Sequence, residues 1–264
     1  MKSAPLPVKA VIFDWAGTLI DFGSFAPMGV FVETFAELGV EVSIEEARAP
    51  MGLPKRAHIA KMLENERIGR AWEGLHGAID ETSIDRIYSV FLPKNEMVAA
   101  RYATMVPGAL ATLDWLKANN IAVATTTGYT RSVMNHVLPE VEKQGFIPDV
   151  VVCSDELIEG RPGPLGIYKS MVELGVYPPA AIIKVDDTEA GLAEGVSAGC
   201  ITVGVTLSGN HAGKTAMEIA SMTPDGINQI RADAGEKLSK AGADHLIDTV
   251  ADLPQLIARL AKSG

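Results

Sequence analysis

Several things are scarce in this 264-residue chain. Its two cysteines, Cys153 and Cys200, are too few for a disulfide framework. Each lies beside an apolar, strand-like run and reads as a small buried hydrophobe. No apolar run reaches about 18 residues, so no transmembrane helix is expected. The opening stretch, MKSAPLPVKA, lacks the apolar core of a signal peptide. The reducing cytoplasm is therefore the expected compartment. Positive charge is scarce too: 23 Lys and Arg against 33 Asp and Glu leave a formal charge of −10. A surface of that sign repels nucleic acid and anionic membranes, so neither is expected as a partner. A small anionic substrate remains compatible, because local cations or a metal override the global sign. What is present is apolar bulk, 47% of the residues, enough for a sizeable core and too much for a disordered or fibrous chain.

At about 150 residues per domain, the length suggests one or two domains. Apolar, β-branched runs at residues 8–14, 121–126, 150–153, 181–185, 201–205 and 245–247 read as buried parallel strands. Helical patterns lie between them at 108–117, 131–142, 165–174, 189–198 and 252–260. That alternation predicts an α/β fold: a doubly wound, mostly parallel sheet with a Rossmann-like core. Residues 25–101 break it. Met28, Phe31, Val32, Phe35 and Leu38 form one helical stripe, read as core first and a dimer contact second. Pro54 opens a second helix at its favoured first position, and residues 84–91 form a third. These helices are expected to make a cap domain, residues 23–102, inserted into a catalytic core made of 1–22 and 103–264. Hinges are expected near 21–24 and 103–107. A smaller helical segment spans 213–241.

Ligands of open α/β sheets bind beyond the carboxyl ends of the strands. Asp14 ends the first strand, Asp186 and Asp187 the fourth, and Asp155 follows the third. Asp155 is expected to cap a helix. Converging carboxylates need a cation, and oxygen ligands without nearby His or Cys favour Mg²⁺ over zinc. Asp14 lies in D-W-A-G-T-L, with Gly17 for a tight turn and the Thr18 hydroxyl beside it. Thr126-Thr127-Gly128 at the second strand end offers a hydroxyl and backbone N–H groups to a phosphoryl oxygen. In order along the chain, these pieces resemble the haloacid dehalogenase superfamily, with its nucleophilic aspartate, Thr/Ser, basic residue and terminal acids. Phosphatases of that superfamily carry a second aspartate two residues after the nucleophile, as acid for the departing alkoxide. Here that residue is Ala16, so an oxygen leaving group lacks its general acid.

The helical insertion carries M-G-L-P-K-R-A-H, residues 51–58. Pro54 sets Lys55 in a first helical turn, where the positive end of the helix disfavours an ammonium if the side chain is desolvated. A neutral lysine amine attacks carbonyls to form a Schiff base. His58, three residues on, lies on the same face and is placed to relay protons. With VIFDWAGTLIDFGSFAP, EEARAPMGLPKRAH, TTGYTR, GRPGP, ELGVYP, IKVDDT and AGCITVGV, the resemblance narrows to the phosphonoacetaldehyde hydrolase (phosphonatase) family and spans nearly the whole chain. It implies hydrolysis of phosphonoacetaldehyde to acetaldehyde and phosphate, with Mg²⁺, in a homodimer. It implies Asp14 as nucleophile and Lys55 as the Schiff-base lysine. It implies Asp14, the Ala16 backbone oxygen and Asp187 as metal ligands. Arg161, Thr127, Gly128 and Tyr129 fall on the phosphonate side, and Met51, Gly52 and His58 on the aldehyde side.

Two departures stand out. The family's fourth motif commonly reads G-D-T-x-x-D. Here Asp186 replaces its glycine and Gly191 its second acid, leaving Asp186 and Glu189 as alternatives to restore the lost charge. Ser24 stands where some relatives carry cysteine. Two other readings stay open: a superfamily hydrolase acting on a phosphate ester or organohalide, and a non-catalytic phosphonate-binding protein. His76, His136, His211 and His245 show no metal-ligand spacing and are read as structural or surface residues. Trp15 is expected to pack under the cap.

Overall fold

Strand β1 (Ala10–Phe13) reads AVIF and is buried on both faces, the signature of a central parallel strand. A computed structural model describes residues 8–262 of the chain. Residues 1–7 of the expected segment 1–22, with most of the stretch read for a signal peptide, lie outside the described residues, as do 263–264. After β1 come five helices, α1 (Ala26–Glu37), α2 (Ile44–Arg48), α3 (Lys55–Leu63), α4 (Glu66–His76) and α5 (Glu81–Ala99). Then α6 (Ala109–Ala118), β2 (Ala122–Thr126), α7 (Arg131–Glu142), β3 (Val150–Val152), α8 (Leu165–Leu174), β4 (Ile182–Asp186), α9 (Glu189–Ala198) and β5 (Ile201–Val205) alternate. The chain ends with α10 (Ala216–Ser221), α11 (Pro224–Lys240), β6 (His245–Ile247) and α12 (Leu253–Leu260).

The six strands form one parallel sheet in the order β3-β2-β1-β4-β5-β6. Phe13 pairs with Thr125 on one side and Val185 on the other. The residues just beyond these positions therefore emerge side by side at the carboxyl edge, where the connections leave β1 in opposite directions. The sheet buries Phe13, Val123, Val185 and Val203 against helices on one face, and Ile12, Ala124 and Ile182 on the other.

The expected helical stretch forms, with differences. Helices α1 to α5 share their own apolar cluster, built on Phe31, Phe35, Ile59, Met62, Ile68, Trp72 and Phe91. The stripe on α1 is spent in that cluster, chiefly against α5. The helix expected at 84–91 is longer and runs through Pro93, because packing against α1 outweighs one lost backbone hydrogen bond. Pro54 is the N-cap of α3 and not its first residue. Helices α2 and α4 were not expected. Their start signals, a Ser43/Glu46 capping box and an Asn65 cap, are local and lie in short, polar segments. Trp15 packs with Phe146 in the cluster of the sheet, which Ala99 and Leu92 of α5 also join. The chain enters α1 through strained backbone: Asp21 and Ser24 have φ of 54° and 55°. The Asp21 carboxylate accepts from Ala26 N at 2.8 Å, supplying the cap that Phe25 cannot. Among the described residues, no helix is long and apolar enough to cross a membrane.

Candidate active site

Three acids gather at the carboxyl edge. Asp14, Asp186 and Asp187 each offer an oxygen, all within 4.8 Å of one another, and all three side chains are buried. Gly17 makes this possible. Its φ is +83°, and a Cβ there would lie 2.2 Å from Asp187 Oδ2. Asp187 Oδ1 accepts from the Thr18 hydroxyl at 3.1 Å, and Oδ2 from Asn210 N at 2.6 Å. Burial pushes the Asp14 carboxyl up to about 6, with Asp186 adding to the rise. Asp187 is pushed up by burial and then by Asp14 and Asp186. Asp186 moves the other way: burial opposes its ionisation, but Arg161 and Lys184 outweigh it.

The substituted fourth motif resolves geometrically. A Cβ on Gly191 would fall 1.9 Å from Asp186 Oδ2. The Asp186 carboxylate thus fills the room that an acid at position 191 would need. Its Oδ1 accepts from Thr188 N at 3.0 Å and Thr188 Oγ1 at 2.7 Å. Its Oδ2 lies 3.1 Å from Lys184 Nζ and 3.4 Å from Arg161 Nη1, close ion pairs without aligned hydrogen bonds. Glu189, the other candidate, points at His211 instead, 3.1 Å away. Asp155 accepts from Arg131 N at 2.8 Å, at the start of α7, the capping role expected of it though on a helix other than its own.

Arg161 reaches Asp14 Oδ1 at 2.8 Å and Thr126 O at 2.7 Å. Two partners went unnoticed in the sequence. Glu194 on α9, 1% exposed, lies 3.1 Å from Arg161 Nε and 3.2 Å from Lys184 Nζ, and accepts from Thr126 Oγ1 at 2.8 Å. Lys184 sits inside β4, fully buried, with Nζ 2.8 Å from Thr126 Oγ1. A lysine amid IIKVD was the available signal, since a buried ammonium requires partners. Arg161 remains charged: burial opposes it, but Asp186, Asp14 and Glu194 together prevail.

The helical side completes the enclosure. Asp14, Ala16, Ser24, Met51, Gly52, Lys55, Thr127, Gly128, Tyr129 and Arg161 line one cavity of about 20 Å³. Thr127 Oγ1 accepts from Tyr129 N, fixing the turn after β2. Lys55 is 5% exposed, 3.8 Å from Met51 Sδ and 5.3 Å from the Tyr129 ring centre. Burial lowers its amine to about 8, against the pull of Asp14. Desolvation, not the helix terminus, is the first cause. His58 is fully buried, stacked on Phe31 at 4.0 Å, with Nε2 2.8 Å from Ala47 O. Burial and then Lys55 hold it well below the ordinary imidazole range. Since a carbonyl only accepts, Nε2 carries the proton and Nδ1 is a free lone pair, without a partner. The helical loop is seated closely. A Cβ on Gly52 would lie 2.2 Å from Thr188 Oγ1, one on Gly128 2.8 Å from Leu53 O, and one on Gly160 2.7 Å from Pro54 Cγ.

Comparison with known proteins places the chain in a family. The model of the haloacid dehalogenase-like hydrolases matches residues 8–199. The chain is 48% identical over 260 residues to phosphonoacetaldehyde hydrolase of Paraburkholderia xenovorans, covering 97% of each. It is 42% identical to the Bordetella avium phosphonoacetaldehyde hydrolase, covering 100% of this chain and 96% of that one. The crystal structure of a phosphonoacetaldehyde hydrolase like protein from Oleispira antarctica superposes with a TM-score of 0.95 at 40% identity, covering 99% of this chain and 96% of that one. The chain is an enzyme of the haloacid dehalogenase-like hydrolase class. Within that class it belongs to the phosphonoacetaldehyde hydrolase family.

Proposed function

We propose that this enzyme hydrolyses phosphonoacetaldehyde to acetaldehyde and phosphate. The observation that carries the reading is a buried lysine, lowered to about 8, in one cavity with Asp14 and an alanine at position 16. Direct P–C cleavage would leave a carbanion with no acceptor. Lys55 condenses with the aldehyde, losing water, and the protonated imine then accepts the bonding pair as an enamine. Asp14 attacks phosphorus in line and becomes an aspartyl phosphate, which water cleaves to phosphate. Carbon departs, so no acid is needed at Ala16. His58 remains the proton relay of imine formation and hydrolysis, from a buried position behind Lys55 rather than in the cavity wall. Arg161, Thr127 and Gly128 hold the phosphonate oxygens with Tyr129 beside them, and Met51 and Gly52 wall the aldehyde side.

The donor set fits a hard divalent cation. Asp14 and Asp187, with the Ala16 backbone oxygen, would hold Mg²⁺, while Asp186 is already engaged by Thr188 and Lys184. The ion would supply charge neutralisation between the carboxylate nucleophile and the phosphonate dianion. Helices α1–α5 are read as a cap of residues 23–102 on a core of 1–22 and 103–264. Lys55 sits on the helical side and must reach Asp14 across the cavity, so closure of the cap would assemble the site. Cytoplasmic location and a homodimer remain part of the reading; light scattering of the purified protein tests the second.

Borohydride added with substrate tests the mechanism. It should reduce the imine and leave an ethyl or phosphonoethyl mass on Lys55. Turnover without any adduct overturns it. Hydrolysis of a phosphate ester or organohalide that survives Lys55→Ala would favour the other superfamily reading. Calorimetric binding without phosphate release at millimolar Mg²⁺ would favour a binding protein.

A further inference from the structure

Arg48 ends α2, on the helical side, and its guanidinium reaches across the seam to Asn210 and back to the entry segment at Gly23. A single nitrogen, Nη1, lies 2.9 Å from Gly23 O, 2.9 Å from Asn210 O and 3.0 Å from Asn210 Oδ1. The group is stacked 5.6 Å from the centre of the Phe25 ring. On its other side a Cβ at Gly213 would approach Cζ to 3.3 Å. Gly23 belongs to the strained entry into α1, and Asn210 and Gly213 to the loop after β5. Asn210 is 2% exposed, and its own N–H holds Asp187. Asp187, Asp21 and Glu45 are the charges that Arg48 feels, all of them acids. Two residues separate Arg48 from Met51, and the tight loop Met51–Lys55 follows.

We propose that Arg48 is a positioning residue: it latches α2 to the entry segment and the post-β5 loop, and so holds Lys55 over Asp14. The proposal rests on the cap-and-core reading of the site. The physical reason lies in the geometry of the contacts. Charged hydrogen bonds to carbonyl oxygens are short-range and directional, so they form only when the cap is seated. Removing them lowers the seated fraction of the free enzyme. Apparent affinity falls by that fraction, whereas saturating substrate still closes the cap. KM therefore rises and kcat changes little.

The test measures Lys55 in the absence of any substrate. Wild type and Arg48→Met are treated with a small acylating reagent, and labelling at Lys55 is followed by peptide mass spectrometry. Labelling is expected to quicken at least fivefold in the variant, with an unaltered thermal transition and labelling of Lys143 unchanged as an exposed control. KM for phosphonoacetaldehyde should rise about tenfold at near-constant kcat, and Arg48→Lys should recover part of both effects. Asn210→Ala, which deletes one acceptor from the core side, should move both in the same direction by less. Unchanged Lys55 labelling in a folded variant overturns the latch. So does a fall in kcat alone. Because labelling needs no turnover, an enzyme that proved inactive on phosphonoacetaldehyde would refute the proposed reaction and leave the latch measurable.

Discussion

In the proposed reaction the lysine and the aspartate divide the chemistry, and each can be removed separately. Asp14→Asn should abolish phosphate release, by at least about a thousandfold, while leaving Lys55 trappable by borohydride with substrate. Loss of the adduct in that variant would mean that the two groups do not act in sequence. The Lys55 amine has a further signature in stability. Its native value is about 8 against 10.5 unperturbed, so between those values the unfolded chain binds more protons. Stability therefore rises with pH across that window. At pH 7 the charged, buried lysine costs on the order of 3 kcal/mol, the equivalent of that fall at 1.36 kcal/mol per pH unit. Lys55→Met should thus stabilise the protein by 1–3 kcal/mol at pH 7, on the order of that cost. The gain should shrink toward pH 10.5, as denaturant titrations at two pH values would show. The same titration predicts turnover that increases with pH up to about 8, where the neutral amine becomes the major form.

At the scale of elements, helix starts and turns decide how closely the parts approach. Gly160 has ordinary backbone angles, so alanine is tolerated by the chain itself, but its methyl would meet the rigid Pro54 ring at 2.7 Å. Gly160→Ala should keep its melting temperature and lose about tenfold in kcat/KM, and adding Pro54→Ala should restore part of the loss. An equal loss in the double variant would show that the contact is not the cause. Moving the fourth-motif acid is another test. Gly191→Asp alone puts a second carboxylate where Asp186 already lies and should cripple the enzyme. Asp186→Gly with Gly191→Asp should recover activity above the single variant, measured by phosphate release.

Much of this was legible beforehand, for physical reasons that differ by element. Strands of a parallel sheet are apolar throughout, so all six were visible, although 8–14 shortens to Ala10–Phe13 where pairing ends. Asp14, Lys55, Arg161 and Asp187 sit in short motifs whose chemistry is local, and the cavity gathers the first three. Glu194 was invisible because α9 shows its buried face only when Arg161 and Lys184 arrive from distant segments. Whether Asp186 or Glu189 answers Gly191 depended on side-chain direction, which spacing does not encode. The lowered amine was anticipated from the helix end, whereas burial, a tertiary quantity, dominates.

For the molecule as a whole, charge closure is the controlling quantity. Asp14, Asp186, Asp187 and Glu194 are buried with Lys184, Arg161 and Lys55, an excess of acid that a divalent cation would reverse. Without the ion, Asp14 titrates near 6, above its unfolded 3.8. Over that window the folded chain binds more protons, and its stability falls as pH rises. Added Mg²⁺ should raise the melting temperature, more at pH 7.5 than at pH 5, because protons compete for the same oxygens. Chelation should reverse the gain. An equal Mg²⁺ effect at both pH values would remove these carboxylates from the account.

The first strand made must wait for its second neighbour. β1 lies between β2 and β4, so its second partner leaves the ribosome only once Asp186 has been synthesised. The intervening helices contact mainly one another and close their cluster from residues near in sequence. During synthesis, then, the lobe bearing the lysine is complete while the seat of the aspartate is still an unpaired ribbon. Pulsed hydrogen exchange on refolding chains should find protection in α1 and α5 ahead of β1.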